Sequence, residues 1–216
     1  MKTKITSKIA AILLLIVAGS FYSCETSDEP KPNGYESFLF RYLGGGRHYM
    51  TMSPNQVVVL VGEGVTDDDI KRFFQENASL QVSGIRTMSG NEFTLIYFHG
   101  SNRDAIRQFA NRLKPNDTIL FIGYVIIDGN GRRTSALTNQ INLRLRNEND
   151  FPILQEAIAS YDIRGVRQCE FDRRFYTLTV NYLSGERALQ IANELSRTGL
   201  FQFAEPDLIL FIQFGI

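Results

Sequence analysis

One pattern of apolar and polar positions occurs twice along the chain. Phe93-Thr-Leu-Ile-Tyr-Phe98 and then Ala110-Asn-Arg-Leu113 match Tyr176-Thr-Leu-Thr-Val-Asn181 and then Ala192-Asn-Glu-Leu195. The first pair of segments is offset by 83 residues and the second pair by 82. A repeated unit of this size is a small domain rather than a solenoid repeat. We therefore expect one architecture used twice, with the question of function concentrated where the two copies differ.

Each copy predicts the same order of elements: strand, helix, strand, strand, helix, strand. Apolar residues at helical spacing indicate the helices, as at Ile106, Phe109 and Leu113, and alternation or β-branched runs indicate the strands. In the first copy, strands are predicted near 57–61, 82–88, 93–98 and 119–127, with helices from 67 and 101. In the second copy, strands are predicted near 141–146, 163–171, 176–182 and 200–211, with helices near 150 and from 184.

A βαββαβ order places both helices on one face of a four-stranded antiparallel sheet, which is the ferredoxin-like fold. A β-hairpin is predicted before each copy, with residues 38–43 and 47–52 around the first turn and 124–127 and 132–137 around the second. We therefore predict an α+β protein of two tandem ferredoxin-like units, each preceded by a hairpin. The predicted boundaries are 1–23 for a signal peptide, 24–36 for a lipidated cysteine and flexible tether, 37–127 for the first hairpin and unit, and 128–216 for the second unit with its C-terminal tail.

The sheet face that lies away from the helices differs between the copies. In the second copy this face is predicted to be polar, because it carries Arg144, Arg146, Thr177 and Thr179. In the first copy the strand 93–98 is apolar on both faces, and such a strand needs cover on both sides. We expect the outer face of the first copy to be buried by a hairpin or by the other copy, while the second copy presents a polar sheet to solvent or to a partner.

The N-terminus has the features of a bacterial lipoprotein signal. Lysines precede an apolar run over 9–19 that is too short to span a bilayer. Ser23 stands directly before Cys24, which resembles the lipobox whose cysteine is diacylated and becomes the new N-terminus. An ordinary secretory signal is the alternative. We predict a lipid-anchored protein of the bacterial outer membrane, on either its periplasmic or its surface-exposed side. The acyl chains would hold it firmly, because each buried CH₂ contributes about 0.8 kcal/mol.

Charge bears on the class of partner. The chain has 23 basic and 23 acidic residues, and the signal holds basic residues only, so the mature protein is slightly acidic. The tether, Glu25-Thr-Ser-Asp-Glu-Pro-Lys-Pro-Asn-Gly34, has no apolar side chain to bury. Binding to nucleic acid depends on a basic excess, which this composition lacks. We therefore predict no nucleic-acid partner.

No catalytic or metal-binding arrangement is predicted. His48 and His99 have no ligand or nucleophile pattern beside them, and Asp67-Asp-Asp69 is typical of a helix start rather than of a calcium loop. Once Cys24 is acylated, Cys169 has no cysteine to pair with, and in its predicted strand it is expected to act as a small buried hydrophobe. We expect a protein that is not an enzyme and that uses no cofactor, metal or small-molecule substrate.

The C-terminal segment contains Ala192-Asn193, Gly199-Leu-Phe201 and Ala204-Glu-Pro-Asp207. At this spacing these residues resemble the end of the propeptide of bacterial subtilisin-like serine peptidases. The duplicated layout with its hairpins extends the resemblance to roughly residues 38–207, at the level of pattern only. The first copy departs from it, with Gly123-Tyr-Val125 in place of the acidic triplet, and no catalytic domain follows within the chain.

The resemblance implies a role in binding. In that family the open sheet face packs on two surface helices of the peptidase, and two carboxylates cap those helices. The corresponding residues here are Glu205 and Asp207, with Pro206 stiffening the strand between them. The apolar tail beyond them would lie in the substrate cleft as an extended strand. The predicted partner-binding residues are Glu205, Pro206, Asp207, Leu210, Phe211, Phe214, Arg144, Arg146, Thr177 and Thr179.

Three functions fit these features. The first is a lipid-anchored, non-catalytic module that inhibits or helps to fold a subtilisin-like serine peptidase in trans, so that the predicted partners are that peptidase and, through the lipid, the membrane. The second is a cell-surface structural or interaction lipoprotein without a peptidase partner. The third is a remnant of a truncated peptidase. Fold alone does not decide among them, because ferredoxin-like units bind many things.

Overall fold

The fold is one sheet, whose strands differ in length, with α-helices packed on it. The computed structural model describes residues 37–41, 47–87, 93–100 and 102–211; the predicted signal peptide, Cys24 and the predicted tether lie outside them. The strands are β1 (Ser37–Arg41), β2 (Arg47–Val61), β3 (Val82–Thr87), β4 (Phe93–Phe98), β5 (Ile119–Ile127), β6 (Arg133–Leu145), β7 (Ile163–Gln168), β8 (Phe175–Val180) and β9 (Phe201–Leu210). The helices are α1 (Asp67–Ala78), α2 (Arg103–Ala110), α3 (Phe151–Ile158) and α4 (Gly185–Arg197).

Two βαββαβ units follow one another along the chain. The first contains β2, α1, β3, β4, α2 and β5, and its strands pair antiparallel in the order β3-β4-β2-β5. The second contains β6, α3, β7, β8, α4 and β9, and its strands pair in the order β9-β6-β8-β7. Both orders put the first and third strands of the unit in the centre, as in the ferredoxin-like fold. The predicted fold class is confirmed.

Both predicted hairpins are also present. β1 pairs with the first half of β2, from Ser37 opposite Thr51 to Arg41 opposite Arg47. The end of β5 pairs with the start of β6, and the Asp128 carboxylate accepts from two backbone N–H groups in the turn between them. The predicted boundary at 127/128 therefore falls in a hairpin that belongs to both units, and the described residues form one compact body.

Local sequence explains where the helices begin. Thr66 and Asp69 form a reciprocal capping box at α1, so two backbone N–H groups that the helix leaves unpaired are satisfied. Ser184 caps α4 by accepting from the Arg187 N–H. The apolar stripes then bury one side of each helix against the sheet. In α1 that side carries Ile70 and Phe74, both almost fully buried.

Each unit has its own core between helices and sheet. In the first unit the rings of Phe74 and Phe98 meet edge to face with centroids 5.2 Å apart, and Phe109 packs on the same ring. In the second unit Leu178 of β8 and Ile191 of α4 lie in a separate apolar cluster. Burying one such side chain contributes about 1.5–3 kcal/mol, so each core stabilises the packing of its helices on the sheet.

The start of α4 joins the two units. The Ile122 N–H of β5 donates to the Leu183 carbonyl, at 2.6 Å, and Leu183 and Leu189 belong to the core of the first unit although they lie in the second. On the other side of α4, Leu195 lies in the second core. One helix therefore packs on both cores.

Cys169 differs from its prediction. It lies one residue beyond the end of β7 and is half-buried as a free thiol, not inside a strand core. The strand ends early because the chain turns at 170–174 into β8, so the predicted strand 163–171 was too long.

Candidate functional site

No element of the described part of the chain packs over the side of the second unit's sheet that lies away from its helices, and we call this side the open face. Alternation along β6 and β8 produces it: Leu143 and Leu178 point into the core, and their neighbours Asn142 and Thr177 point away. The open face carries Asn142, Arg144, Arg167, Phe175, Thr177, Thr179, Phe203, Glu205 and Asp207.

Hydrogen bonds link the polar side chains at the centre of the open face into one chain. The Thr177 hydroxyl donates to the Asn142 side-chain oxygen at 3.1 Å, and the Asn142 amide donates to Asp207 at 3.0 Å. The other Asp207 oxygen accepts from the Thr138 hydroxyl, also at 3.0 Å. These bonds cross three strands, so they hold the side chains of β6, β8 and β9 in fixed relative positions.

An aromatic pair borders the polar chain. Arg144 is the register partner of Phe175 on β8 and of Phe203 on β9, so its backbone lies between theirs. The ring centroids are 6.0 Å apart and the planes are tilted by 59°. The Arg144 guanidinium reaches past them to Asp172, at 2.9 Å. The result is an apolar patch with a fixed cation at its edge.

The predicted acidic triplet lies within β9, not in a turn. Glu205 is opposite Asn142 and is half-buried on the open face. Pro206 is opposite Ile141 and is buried on the other side. Glu205 and Asp207 therefore lie on the same side of the sheet with Pro206 between them, and Asp207 already accepts two hydrogen bonds from this chain.

The predicted tail is part of the sheet as far as the structure describes it. Leu208, Ile209 and Leu210 continue β9 and pair with Leu137, Ala136 and Ser135 of β6. The Phe211 N–H donates to the Thr134 carbonyl at 2.9 Å. The expectation of an extended tail free to enter a cleft from residue 208 is therefore wrong for residues 208–211, because the start of β6 supplies a partner strand. Phe214 lies outside the described residues.

That same segment covers the first unit. Val58 and Leu95, on the outer face of its sheet, pack with Val125 and Ala136 of the β5–β6 hairpin. Ile209 and Phe211 add to this cluster from the end of β9, while Phe93 and Tyr97 line it from β4. The expectation that a hairpin or the other copy buries this face is confirmed. The open face of the second unit has no equivalent cover among the described residues.

Arg146 lies away from the centre of the open face. It follows the end of β6, and its guanidinium donates twice to the Gly199 carbonyl, at 3.1 and 2.9 Å. Beside it is an open polar groove of about 540 Å³ whose lining includes Arg173 and Phe171. Thr179 is on the open face, next to Gly165 of β7.

Sequence reasoning missed the aromatic pair and Asn142 as members of the site. Phe175 has the same parity along β8 as Thr177 and Thr179, so strict alternation would have placed it on the open face. Phe203 has the same parity along β9 as Glu205. No sequence pattern indicated that Asp172 belongs to the site, because its ion pair with Arg144 depends on how the β7–β8 turn folds back.

The described residues do not assemble a catalytic or metal-binding group. Within the ranges given above, no cluster of three or more His, Cys, Asp or Glu side chains is placed to hold a metal ion. His99 is exposed in the loop after β4. Burial raises the pKa of the Tyr124 phenol well above its usual range, with the nearby Glu186 carboxylate adding to the effect. None of the helices in the described part of the chain is long and apolar enough to cross a membrane.

Comparison with known proteins finds no matching family model and no matching curated protein. Solved structures do match. One is the Sxl-lethal protein in complex with RNA, 16% identical with a TM-score of 0.32, covering 71% of this chain and 98% of that chain. Another holds the three N-terminal RNA binding domains of the yeast splicing factor Prp24, at 15% identity and a TM-score of 0.32, with 81% of this chain and 74% of that chain covered. A third holds the first two RRM domains of the yeast poly(U) binding protein Pub1, at 16% identity and a TM-score of 0.27, with 71% and 98% covered.

These neighbours contradict the partner prediction. That prediction named a subtilisin-like peptidase and excluded nucleic acid, whereas all three neighbours are named for RNA or for RRM domains and none is a subtilisin propeptide. The exclusion rested on the charge of the whole chain, which does not describe one face: Arg144 and Arg167 lie there beside Phe175 and Phe203. At these identities and TM-scores the likeness assigns no ligand to this chain.

Proposed function

We propose that this chain is a non-catalytic binding module, held at a membrane by a lipid on Cys24, that engages a partner protein through the open face. The observation that carries the proposal is the difference between the two units. The first unit covers the outer face of its sheet with Val125, Ala136, Ile209 and Phe211. In the second, no described residue covers the equivalent face, which is lined with hydrogen-bonded polar side chains and an aromatic pair.

The order of those side chains supports binding. Thr177, Asn142, Asp207 and Thr138 are already held by mutual hydrogen bonds. Binding of a partner therefore costs less side-chain entropy here than on a surface whose side chains rotate freely. On such a surface each immobilised side chain costs about 0.5–1.5 kcal/mol. A pre-arranged face of this kind is expected of a recognition surface.

The chemistry of the face supports a protein as the partner. Arg144 and Arg167 provide cations, Glu205 and Asp207 provide carboxylates, and the Phe175–Phe203 pair provides an apolar patch. Aromatic and arginine side chains are enriched in protein interfaces. A surface of both charge signs complements another protein surface, which also carries both.

The resemblance of residues 192–207 to the propeptides of subtilisin-like peptidases fits a binding role. It supports the view that the second unit derives from a module whose sheet face contacts another protein. We propose no peptidase as the partner, and the cell-surface interaction lipoprotein is the function that remains.

The lipid anchor has its own test. We expect the wild-type chain, expressed in a Gram-negative host, to sediment with membranes and to yield an acylated N-terminal peptide beginning at Cys24 by mass spectrometry. Cys24→Ser is expected to abolish the acylated peptide. A Cys24→Ser protein that is still acylated would remove the anchor from the proposal without touching the binding face.

The face is tested by site-specific photo-crosslinking in the same cells. A crosslinker at Thr179 is expected to capture a defined protein, which is then purified and its affinity for the full chain measured. The matched control places the crosslinker at Gln75, an exposed residue of α1 on the opposite side of the first unit. Thr177→Arg is expected to weaken binding at least about tenfold, or 1.4 kcal/mol, while Gln75→Arg adds the same charge and leaves the affinity unchanged.

Nucleic acid is included as an arm of the test. Pools of single-stranded RNA and DNA are titrated against the same full chain and the same two variants. Binding of a pool that Thr177→Arg removes would replace the partner protein with nucleic acid on this face. Protein binding that Thr177→Arg leaves intact would show that the open face is not the site.

A further inference from the structure

The second unit ends in a strand with one unpaired edge. β7 is last in the strand order of the sheet, and among the described residues its only pairing is with β8. The Cys169 N–H donates to the Phe175 carbonyl at 2.9 Å, in register with the Gln168–Tyr176 pair. In an antiparallel ladder the backbone groups alternate in direction, so those of Gly165 and Arg167 also face β8. The N–H and C=O groups of Val166 and Gln168 therefore point outward along the free edge.

Within β7 the charged side chains are both basic, and the next acidic residue along the chain, the exposed Glu170, lies beyond the end of the strand. Arg164, in the bulge between Ile163 and Gly165, and Arg167 are both exposed, and no acidic partner within 4.0 Å is found for either in the described part of the chain. Val166 is 43% exposed, and Phe171 just beyond the strand is 97% exposed. An edge with outward amides, unpaired cations and uncovered apolar side chains can accept a strand.

The charges decide which strand. A second copy of this chain that paired antiparallel through its own β7 would bring its Arg164 and Arg167 close to the same two cations, and like charges facing each other across strands are destabilising. An incoming strand with carboxylates beside the two arginines would instead gain cross-strand attraction. An apolar residue between those carboxylates would lie against Val166.

We propose that the outer edge of β7 binds an extended acidic segment of a partner protein as an additional antiparallel strand, with its carboxylates beside Arg164 and Arg167. This site is the edge of the sheet and shares Arg167 with the open face. Its test is separate, because strand pairing depends on the backbone N–H groups of the bound segment and on the outward groups of β7, which binding to the open face does not use.

The experiment uses the full chain purified in detergent and a fluorescent peptide, acetyl-Thr-Glu-Val-Glu-Val-Glu-Thr-amide, followed by anisotropy. A peptide with Lys in place of Glu tests charge. A third peptide with the acidic sequence and alternate backbone nitrogens methylated tests strand pairing, because methylation removes the N–H donors and keeps the charge. We expect the acidic peptide to bind at least about tenfold more tightly than either control peptide.

Protein variants locate the site. Arg164→Glu combined with Arg167→Glu is expected to lose the acidic peptide and to gain the lysine peptide. The matched control, Arg112→Glu combined with Arg132→Glu, changes two exposed arginines elsewhere and is expected to bind as the wild type does. Val166→Pro removes an outward N–H that β8 does not use, and edge strands tolerate proline, so binding is expected to fall while circular dichroism stays unchanged.

Three results would overturn the proposal. They are no binding of the acidic peptide to the folded chain, equal binding of the methylated peptide, and equal loss of binding in both double variants. The second would reduce the site to a diffuse basic surface, and the third would attribute the binding to net charge alone.

Discussion

Asn142 on β6 donates its side-chain amide to Asp207 on β9, at 3.0 Å, on the one side of the second unit that helices do not cover. Thr138 donates to the second Asp207 oxygen at the same distance. Asp207 therefore ties the last strand of the unit to the first. The carboxylate that resemblance assigned to a partner's helix already serves the fold of this chain.

Asp207→Ala is expected to destabilise the protein by about 1–2 kcal/mol, because two half-buried donors lose their acceptor at once. Urea unfolding of the variant and the wild type gives the difference in the free energy of unfolding. Gln202→Ala, at an exposed position on the same strand, is the control and is expected to change it by less than about 0.5 kcal/mol. Equal values for the two variants would show that the Asp207 hydrogen bonds are not stabilising.

Gly123→Ala tests the close crossing of β5 and β6. A Cβ on Gly123 would overlap the Leu137 carbonyl oxygen, and a Cβ on Gly185 would lie 2.9 Å from three atoms of Leu137 and Thr138. The backbone at Leu137 is therefore enclosed between two glycines and cannot move away. We expect Gly123→Ala to cost at least about 1–3 kcal/mol, as overpacking of a core does, in thermal or urea unfolding.

The control for this prediction is Gly129→Ala in the β5–β6 turn. A Cβ there meets nothing within 4 Å. Its unfolding midpoint is expected to match the wild type within error. A stable Gly123→Ala protein would mean that β6 can shift away from β5, and the inter-unit crossing would then be loose.

Ile209→Ala tests whether the end of β9 is structural. Ile209 packs on Val58 and Leu95 of the first unit, whereas its neighbour Leu210 is 65% exposed. We expect Ile209→Ala to destabilise by about 1–2 kcal/mol, less than a fully buried isoleucine would. Leu210→Ala is the matched control and is expected to fall within about 0.5 kcal/mol of the wild type. If both variants unfolded like the wild type, the segment would be free to leave the sheet.

Thr66→Ala is expected to change the titration of Asp69. The Thr66 hydroxyl and backbone N–H donate to the Asp69 carboxylate, with the Arg72 cation adding to their effect, and together they lower its pKa below the ordinary value of 3.8. The carboxylate form is favoured in the folded state, so this contribution to stability is present above pH 3.8 and is lost as the pH falls through the folded pKa.

Carboxyl-carbon NMR across acidic pH measures this directly. In Thr66→Ala the pKa of Asp69 is expected to move up toward 3.8. Thr87→Ala, at an exposed position on β3, should leave the Asp69 curve where it is. An unmoved pKa in Thr66→Ala would assign the shift to the backbone N–H of residue 66 and to Arg72, without a contribution from the hydroxyl.

Periodicity alone predicted much of this fold. Both βαββαβ units, both hairpins and the covered outer face of the first unit follow from alternation along β4 and β8 and from the stripes of α1 and α4. These are local patterns, because the apolar character of each position indicates which side of its own strand or helix is buried. The glycine-rich turn before β6 was equally visible, because Asp128 and its neighbours have the chemistry of a tight turn.

The remaining features depend on contacts between distant parts of the chain. The sequence does not show that residues 208–211 pair with β6, because an apolar extended tail suits a sheet and a cleft equally well. Nor does it show that Arg144 meets Asp172, which needs the β7–β8 turn to fold back. The net charge of the whole chain was a poor guide to partners for the same reason, because it sums residues that lie on different surfaces of the folded protein.

The β5–β6 hairpin and the end of β9 cover the outer sheet face of the first unit, so the duplication does not give the chain two copies of one surface. A duplicated domain with two uncovered sheets would be bivalent and would gain avidity by bridging two partners. Here the end of the second copy occupies the sheet of the first, and among the described residues the second unit alone presents this face. A partner of this face would therefore bind one to a chain, without avidity from the duplication.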